Sequence, residues 1–64
     1  MQNVEIMEII NNGKTYYVDR LKIMFVLSKL TDDKNLKKSD EKIIEEMKRF
    51  SLLDKSFLTN LNKL

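Results

Sequence analysis

The chain has 64 residues, enough for one small domain, and a domain of this length buries only roughly 60% of the surface exposed by its unfolded chain. It contains neither cysteine nor histidine, which excludes disulfides, thiolate nucleophiles and the usual general base. Twelve basic and ten acidic side chains leave a net charge of +2, which is not the footprint of a dedicated nucleic-acid binder.

The first predicted element is a β-hairpin over about residues 3–19. Gly13 is the only glycine, and Asn12-Gly13 suits the two positive-φ positions of a type I′ turn between antiparallel strands. With this loop, one face of the hairpin collects four apolar side chains: Met7, Ile9, Tyr16 and Val18. A helix over residues 4–10 is the competing interpretation, because isoleucines recur there at helical spacing.

The opposite face of the predicted hairpin carries the candidate partner-binding residues. These are the apolar side chains that the same register places together on that side: Val4, Ile6, Ile10 and Tyr17. An exposed apolar patch marks an interface, and the two edges of a ribbon can accept a further strand from a partner or a second copy. The alternative is that the C-terminal helix covers this face.

Three helices are expected to follow the hairpin, over about residues 20–30, 40–50 and 53–63. Asp19 and Ser39 are suitable N-caps for the first two, and Ser51 with Asp54 resembles a weakened capping box before the third. The prediction is therefore a single α+β domain over 1–64, with a two-stranded antiparallel hairpin packed on three short helices in the order ββααα.

The first predicted helix is apolar almost all round. Leu21, Met24 and Phe25 form one stripe, and a second stripe contains Ile23, Val26, Leu27 and Leu30. Such a helix is expected to be central, with the hairpin on one side and the C-terminal helices on the other.

No arrangement of polar residues predicts catalysis. The acidic doublets each lie close to a lysine or arginine, as on a solvated face: Asp32-Asp33, Asp40-Glu41 and Glu45-Glu46. Gly13-Lys14-Thr15 matches only the last letters of the Walker A signature and lacks its upstream glycine. We expect no enzyme activity, no metal, no cofactor and no small-molecule substrate.

Nucleic-acid binding through the last two helices is the alternative function. Their outline resembles a helix-turn-helix unit, and the last helix would present side chains that can contact phosphates and bases: Lys55, Thr59, Asn60, Asn62 and Lys63. The turn has no glycine, and Glu45, Glu46 and Asp54 place negative charge near the expected phosphates.

The first hypothesis is a non-catalytic modulator or inhibitor that binds a larger protein, with a homodimer as a further expected state. A composition rich in Lys, Asn, Ile and Leu resembles that of small accessory proteins of AT-rich bacteria and their phages, many of which inhibit or redirect a host protein. No signal-peptide pattern or membrane-length apolar run is present, so the expected location is the cytoplasm, without a membrane partner.

Overall fold

The computed structural model describes residues 5–33, 35 and 37–63. The elements follow in the order β1 (Ile6–Asn11), β2 (Lys14–Asp19), α1 (Arg20–Thr31), α2 (Asp40–Arg49) and α3 (Lys55–Leu61). The predicted α+β fold, an antiparallel two-stranded sheet followed by three helices, is confirmed.

The hairpin has the turn and the register that the sequence predicts. φ is 52° at Asn12 and 77° at Gly13, so both residues occupy the left-handed region required by a type I′ turn. The antiparallel ladder runs from Asn11 opposite Lys14 to Ile6 opposite Asp19. The alternative of a helix is therefore wrong for the residues from Ile6 onward.

The first two helices begin at the predicted caps. The Asp19 carboxylate accepts a hydrogen bond from the Leu21 amide at 3.0 Å, and the Ser39 hydroxyl accepts one from the Lys42 amide at 3.2 Å. Each bond satisfies one of the amides that a helix leaves unpaired at its N-terminus. In α2, acidic residues lie in the first turn and basic residues in the last, as the helix dipole favours.

The predicted role of Ser51 as part of a capping box is wrong. Ser51 lies just after α2 with φ of 57°, and its amide donates to the carbonyl of Lys48 while the Leu52 amide donates to that of Met47. These two bonds form a Schellman motif, so Ser51 ends α2. Asp54 caps α3 instead, accepting from the Phe57 amide at 3.1 Å, and α3 begins two residues later than predicted.

The core lies between the inner face of the hairpin and the three helices. α1 and α3 pack against β2, and α1 also packs against α2. The apolar side chains that are almost completely buried come from all five elements: Ile9, Val18, Ile23, Leu27, Ile43, Met47, Leu58 and Leu61. Met7 and Met24 complete this cluster, and Tyr16 packs against it while remaining partly exposed.

α1 is not the central helix that its composition predicts. Ile23, Met24 and Leu27 are in the core, whereas Leu21, Phe25 and Leu30 are exposed. The remaining elements do not enclose α1 from every side. A chain of 64 residues buries a smaller fraction of its surface than a larger domain does, so some apolar side chains stay exposed.

Arg20 at the start of α1 connects three parts of the chain. Its Nε donates to the Asp40 carboxylate of α2 at 2.9 Å, and its Nη1 lies 3.6 Å from the Glu5 carboxylate. Its Nη2 donates to the carbonyl of Lys38. Arg20 therefore holds the start of the hairpin, the segment before α2 and α2 itself together.

Candidate interaction surface

The outer face of the hairpin is a small apolar patch. Ile6, Ile10 and Tyr17 are 56%, 72% and 58% exposed, respectively. Tyr17 lies directly opposite Glu8, and its ring is the diagonal neighbour of both isoleucines across the two strands. We call Ile6, Glu8, Ile10 and Tyr17 the ribbon face. In the described part of the chain, no helix covers it, so the alternative of a covering C-terminal helix is excluded there.

The turn explains why these side chains point outward. Because successive side chains alternate across a strand, the register that buries Met7 and Ile9 must turn Ile6, Glu8 and Ile10 to the other side. The structure thus places three of the four predicted partner-binding residues together. Val4, the fourth, lies outside the described residues.

α1 provides a second exposed apolar surface, outside the predicted site residues. An open groove of about 630 Å³ is lined by six residues of this helix: Leu21, Lys22, Phe25, Val26, Lys29 and Leu30. The Lys29 ammonium lies 4.6 Å from the centre of the Phe25 ring. The available signal was the number of apolar residues around α1, because the few other elements of so short a chain cannot cover them all. The exposed residues come from both predicted stripes, Leu21 and Phe25 from the first and Leu30 from the second.

The residues of the nucleic-acid alternative lie on or just beyond α3. Lys55, Thr59 and Asn60 are exposed on this helix, and Asn62 and Lys63 follow its end. α3 has seven residues, about two turns, which is a short surface for reading a DNA groove. Its first turn is capped by the Asp54 carboxylate, which places a negative charge beside Lys55.

Asn62 joins the end of α3 to the outer edge of β2. Its amide nitrogen donates to the Tyr17 carbonyl at 2.9 Å, and its amide oxygen accepts from the Asp19 N–H at 3.2 Å. The Lys22 ammonium donates to the main-chain carbonyl of Asn62 at 2.9 Å. The amide nitrogen and the amide oxygen of Asn62 therefore both form hydrogen bonds within the fold, whereas the sequence predicts contact with nucleic acid for this side chain.

Replacing Asn62 by alanine is expected to lower the free energy of unfolding by about 1–2 kcal/mol, because two exposed hydrogen bonds between α3 and β2 are lost. The matched control is Asn60→Ala, which alters an exposed asparagine on α3 and should change stability by less than about 0.5 kcal/mol. Urea titrations of both variants, followed by circular dichroism, measure the difference. Equal effects of the two changes would contradict the structural role of Asn62.

A buried ion pair joins the segment that precedes α2 to α2 itself. The Lys38 ammonium is 2.8 Å from the Glu46 carboxylate and 3.6 Å from that of Asp33, and both Lys38 and Glu46 are buried. The hydrogen bond to Glu46 raises the pKa of Lys38 above its usual value. The Asn35 amide, and then Lys38, lower the pKa of Asp33. Neither Lys38 nor Glu46 lines the α1 groove.

In residues 5–33, 35 and 37–63, no three acidic side chains come together in a way that could hold a metal ion. Within the same ranges, no helix has the length and apolar character needed to cross a bilayer.

Comparison of the chain with protein-family models, with curated protein sequences and with solved structures found no significant match. The surfaces described above are therefore the basis for what we propose about function.

Proposed function

We propose that the protein is a small non-catalytic modulator that binds a larger protein through the ribbon face. The observation that carries this proposal is the exposure of Ile6, Ile10 and Tyr17 as neighbours on one side of the hairpin. Large contiguous apolar patches are uncommon on monomeric proteins and often mark interaction sites, and tyrosine is enriched in the energetically important centres of interfaces.

The chemistry of this face suits a protein partner. Two aliphatic side chains and an aromatic ring supply apolar area, while Glu8 and the Tyr17 hydroxyl supply polar groups that can orient a partner. The pairing of the two strands holds the backbone beneath these groups in a defined register, and such pre-organisation reduces the entropy lost on binding. The chain would inhibit or redirect its partner if this contact covers a functional site of that protein.

The test compares binding by the wild-type chain and by the double variant Ile10→Ser, Tyr17→Ala. Affinity-tagged chains are used to capture partners from cell extract treated with nuclease, and each captured protein is then purified and titrated against the variants. We expect the double change to weaken binding by at least about tenfold, because it removes two exposed contact groups. Since these side chains are exposed, the thermal unfolding midpoint should remain close to that of the wild type.

Two matched variants show whether the ribbon face is the surface in use. Phe25→Ser alters the exposed face of α1, and Lys55→Ala alters α3; neither should weaken partner binding. A double variant that folds normally and still binds its partner with wild-type affinity contradicts the proposal. Loss of binding in Phe25→Ser alone would indicate that the contact surface is the α1 groove and not the ribbon face.

A separate titration of the purified chain with DNA and RNA addresses nucleic-acid binding, the alternative function. Binding to phosphates releases counterions, so the affinity for DNA or RNA would fall steeply between low and moderate salt. Steep salt dependence together with sensitivity to Lys55→Ala and Lys63→Ala would favour the α3 surface and contradict the proposed role of the ribbon face.

A further inference from the structure

The hydrogen-bond register shows which main-chain groups of the hairpin face outward. In an antiparallel pair, residues that exchange hydrogen bonds alternate with residues whose main-chain groups point away from the partner strand. The two-residue loop closes on Asn11 and Lys14, and the Arg20 amide donates to the Glu5 carbonyl at 2.7 Å at the other end. The main-chain groups of the even-numbered β1 residues therefore point away from β2: Ile6, Glu8 and Ile10.

The contacts of Asn62 provide an independent check of this assignment. Tyr17 and Asp19 lie opposite Glu8 and Ile6, so their main-chain groups should point outward on the other edge of the hairpin. The Asn62 side chain bonds these outward groups, the Tyr17 carbonyl and the Asp19 N–H. The edge of β2 is thus partly closed by the end of α3.

The edge of β1 is open in the described part of the chain. There, no hydrogen bond joins a group outside the hairpin to the main chain of Ile6, Glu8 or Ile10. The helices pack mainly on the β2 side. Proteins usually protect such an edge with proline, with charged side chains, especially lysine, or with a bulge. β1 has no proline or lysine, its pairing with β2 is unbroken, and its single charged side chain is Glu8.

The open edge and the ribbon face belong to the same residues. Ile6, Glu8 and Ile10 direct their main-chain groups to the edge and their side chains to the exposed face. Along the strand this face is apolar, acidic and apolar at alternate positions. A strand added at this edge would place its own alternate side chains directly beside these three.

Resting on the proposed function, we infer that the partner adds an extended strand to the edge of β1, with a basic residue beside Glu8 and apolar residues beside Ile6 and Ile10. Opposite charges stabilise neighbouring strands, whereas like charges directly opposite one another destabilise them. A second copy is less suitable: in the symmetric register that pairs Ile6 with Ile10 of the copy, the two Glu8 carboxylates would face each other.

The test uses the full chain, labelled with ¹⁵N, and two capped peptides. One peptide is Thr-Ile-Thr-Lys-Thr-Ile-Thr, and the matched peptide has glutamate in place of lysine. We expect millimolar lysine peptide to slow hydrogen exchange at the amides of Ile6, Glu8 and Ile10. The exchange of the Tyr17 amide on β2 serves as the internal control. The wild-type chain should bind the lysine peptide about fivefold more tightly than the glutamate peptide.

The charge-reversal variant Glu8→Lys makes the test specific, because this exposed change should leave the fold intact and reverse the preference between the two peptides. Absence of protection at Ile6, Glu8 and Ile10 overturns strand addition. Protection without a charge preference overturns the assignment of a basic residue. Protection of the same amides without peptide, together with a dimer mass in light scattering, assigns the edge to a second copy and overturns the inference of a partner strand.

These outcomes are distinguishable from failure of the proposed function. If Ile10→Ser, Tyr17→Ala abolishes partner binding but neither the peptides nor the partner protects the β1 amides, the ribbon face remains the contact surface and only strand addition is wrong. If the double variant binds its partner normally, the proposed function itself is wrong.

Discussion

Replacing Leu27 by alanine is expected to leave much of the chain unfolded at room temperature. Leu27 lies on the inner side of α1 with 0% of its surface exposed, in the cluster formed by all five elements. Truncating a buried leucine costs about 2–5 kcal/mol through lost burial and the cavity left behind. A core of this size stabilises a fold by only about 3–5 kcal/mol, so one such change removes most of the free energy of unfolding.

Leu30→Ala is the matched control for this prediction, since it is the same chemical change three residues later in the same helix. Leu30 is 47% exposed, and its truncation should cost less than about 1 kcal/mol. Urea denaturation followed by circular dichroism compares the two variants. If Leu30→Ala destabilises the protein as much as Leu27→Ala, the outer face of α1 is covered in solution, and the mass of the protein should then be that of an oligomer.

Replacing Glu46 by leucine is expected to lower the free energy of unfolding by about 2–3 kcal/mol. The change removes the carboxylate that accepts the 2.8 Å hydrogen bond of buried Lys38 and leaves only the more distant Asp33 beside that ammonium group. Leaving one buried member of an ion pair uncompensated is costly, whereas replacing both members by apolar groups is often neutral or stabilising. The double variant Lys38→Met, Glu46→Leu should therefore recover most of the loss.

Glu45→Leu is the control for position, because Glu45 is the exposed neighbour of Glu46 on α2 and should change stability by no more than about 0.5 kcal/mol. Thermal and urea unfolding of the four proteins complete the comparison. A double variant that is as unstable as Glu46→Leu would show that the loss of stability does not come from leaving the Lys38 charge unpaired, and would contradict this prediction.

The same pair predicts how stability changes at alkaline pH. The hydrogen bond to Glu46 raises the pKa of Lys38 above its usual 10.5, so the folded state holds this proton more tightly than the unfolded state. The resulting stabilisation is complete below pH 10.5 and is lost as the pH rises through the raised pKa. The wild type should therefore lose more stability above this pH than the double variant, which lacks the pair.

Much of the local structure could be predicted from residues that are close in sequence. The Asn12-Gly13 turn determines which strand residues face each other, and so it also determines that Ile6, Ile10 and Tyr17 share a face. Asp19 and Ser39 begin their helices because a short acceptor side chain before a helix satisfies a free amide. These effects act over a few residues and need no knowledge of the rest of the fold.

Prediction was least accurate where a residue has two suitable local roles. Ser51 can cap a following helix or adopt a left-handed conformation at the end of the preceding one, and the latter occurs because α2 ends there with two Schellman bonds.

Asn62 was expected to be available for contact with nucleic acid. Its position beside Tyr17 and Asp19 depends on how α3 packs against β2, which brings together residues more than forty positions apart.

The sequence by itself determined the order of the elements, the hairpin register and the division of the hairpin into an apolar inner face and a mixed outer face, because periodicity and turn chemistry are local. Only the tertiary structure decided that the outer face is exposed and that Leu21, Phe25 and Leu30 of α1 face outward. It also decided that, among the described residues, α3 closes part of the edge of β2 while the edge of β1 stays open. The reason is that a surface is buried only where another element packs on it, and a 64-residue chain has few elements to do so.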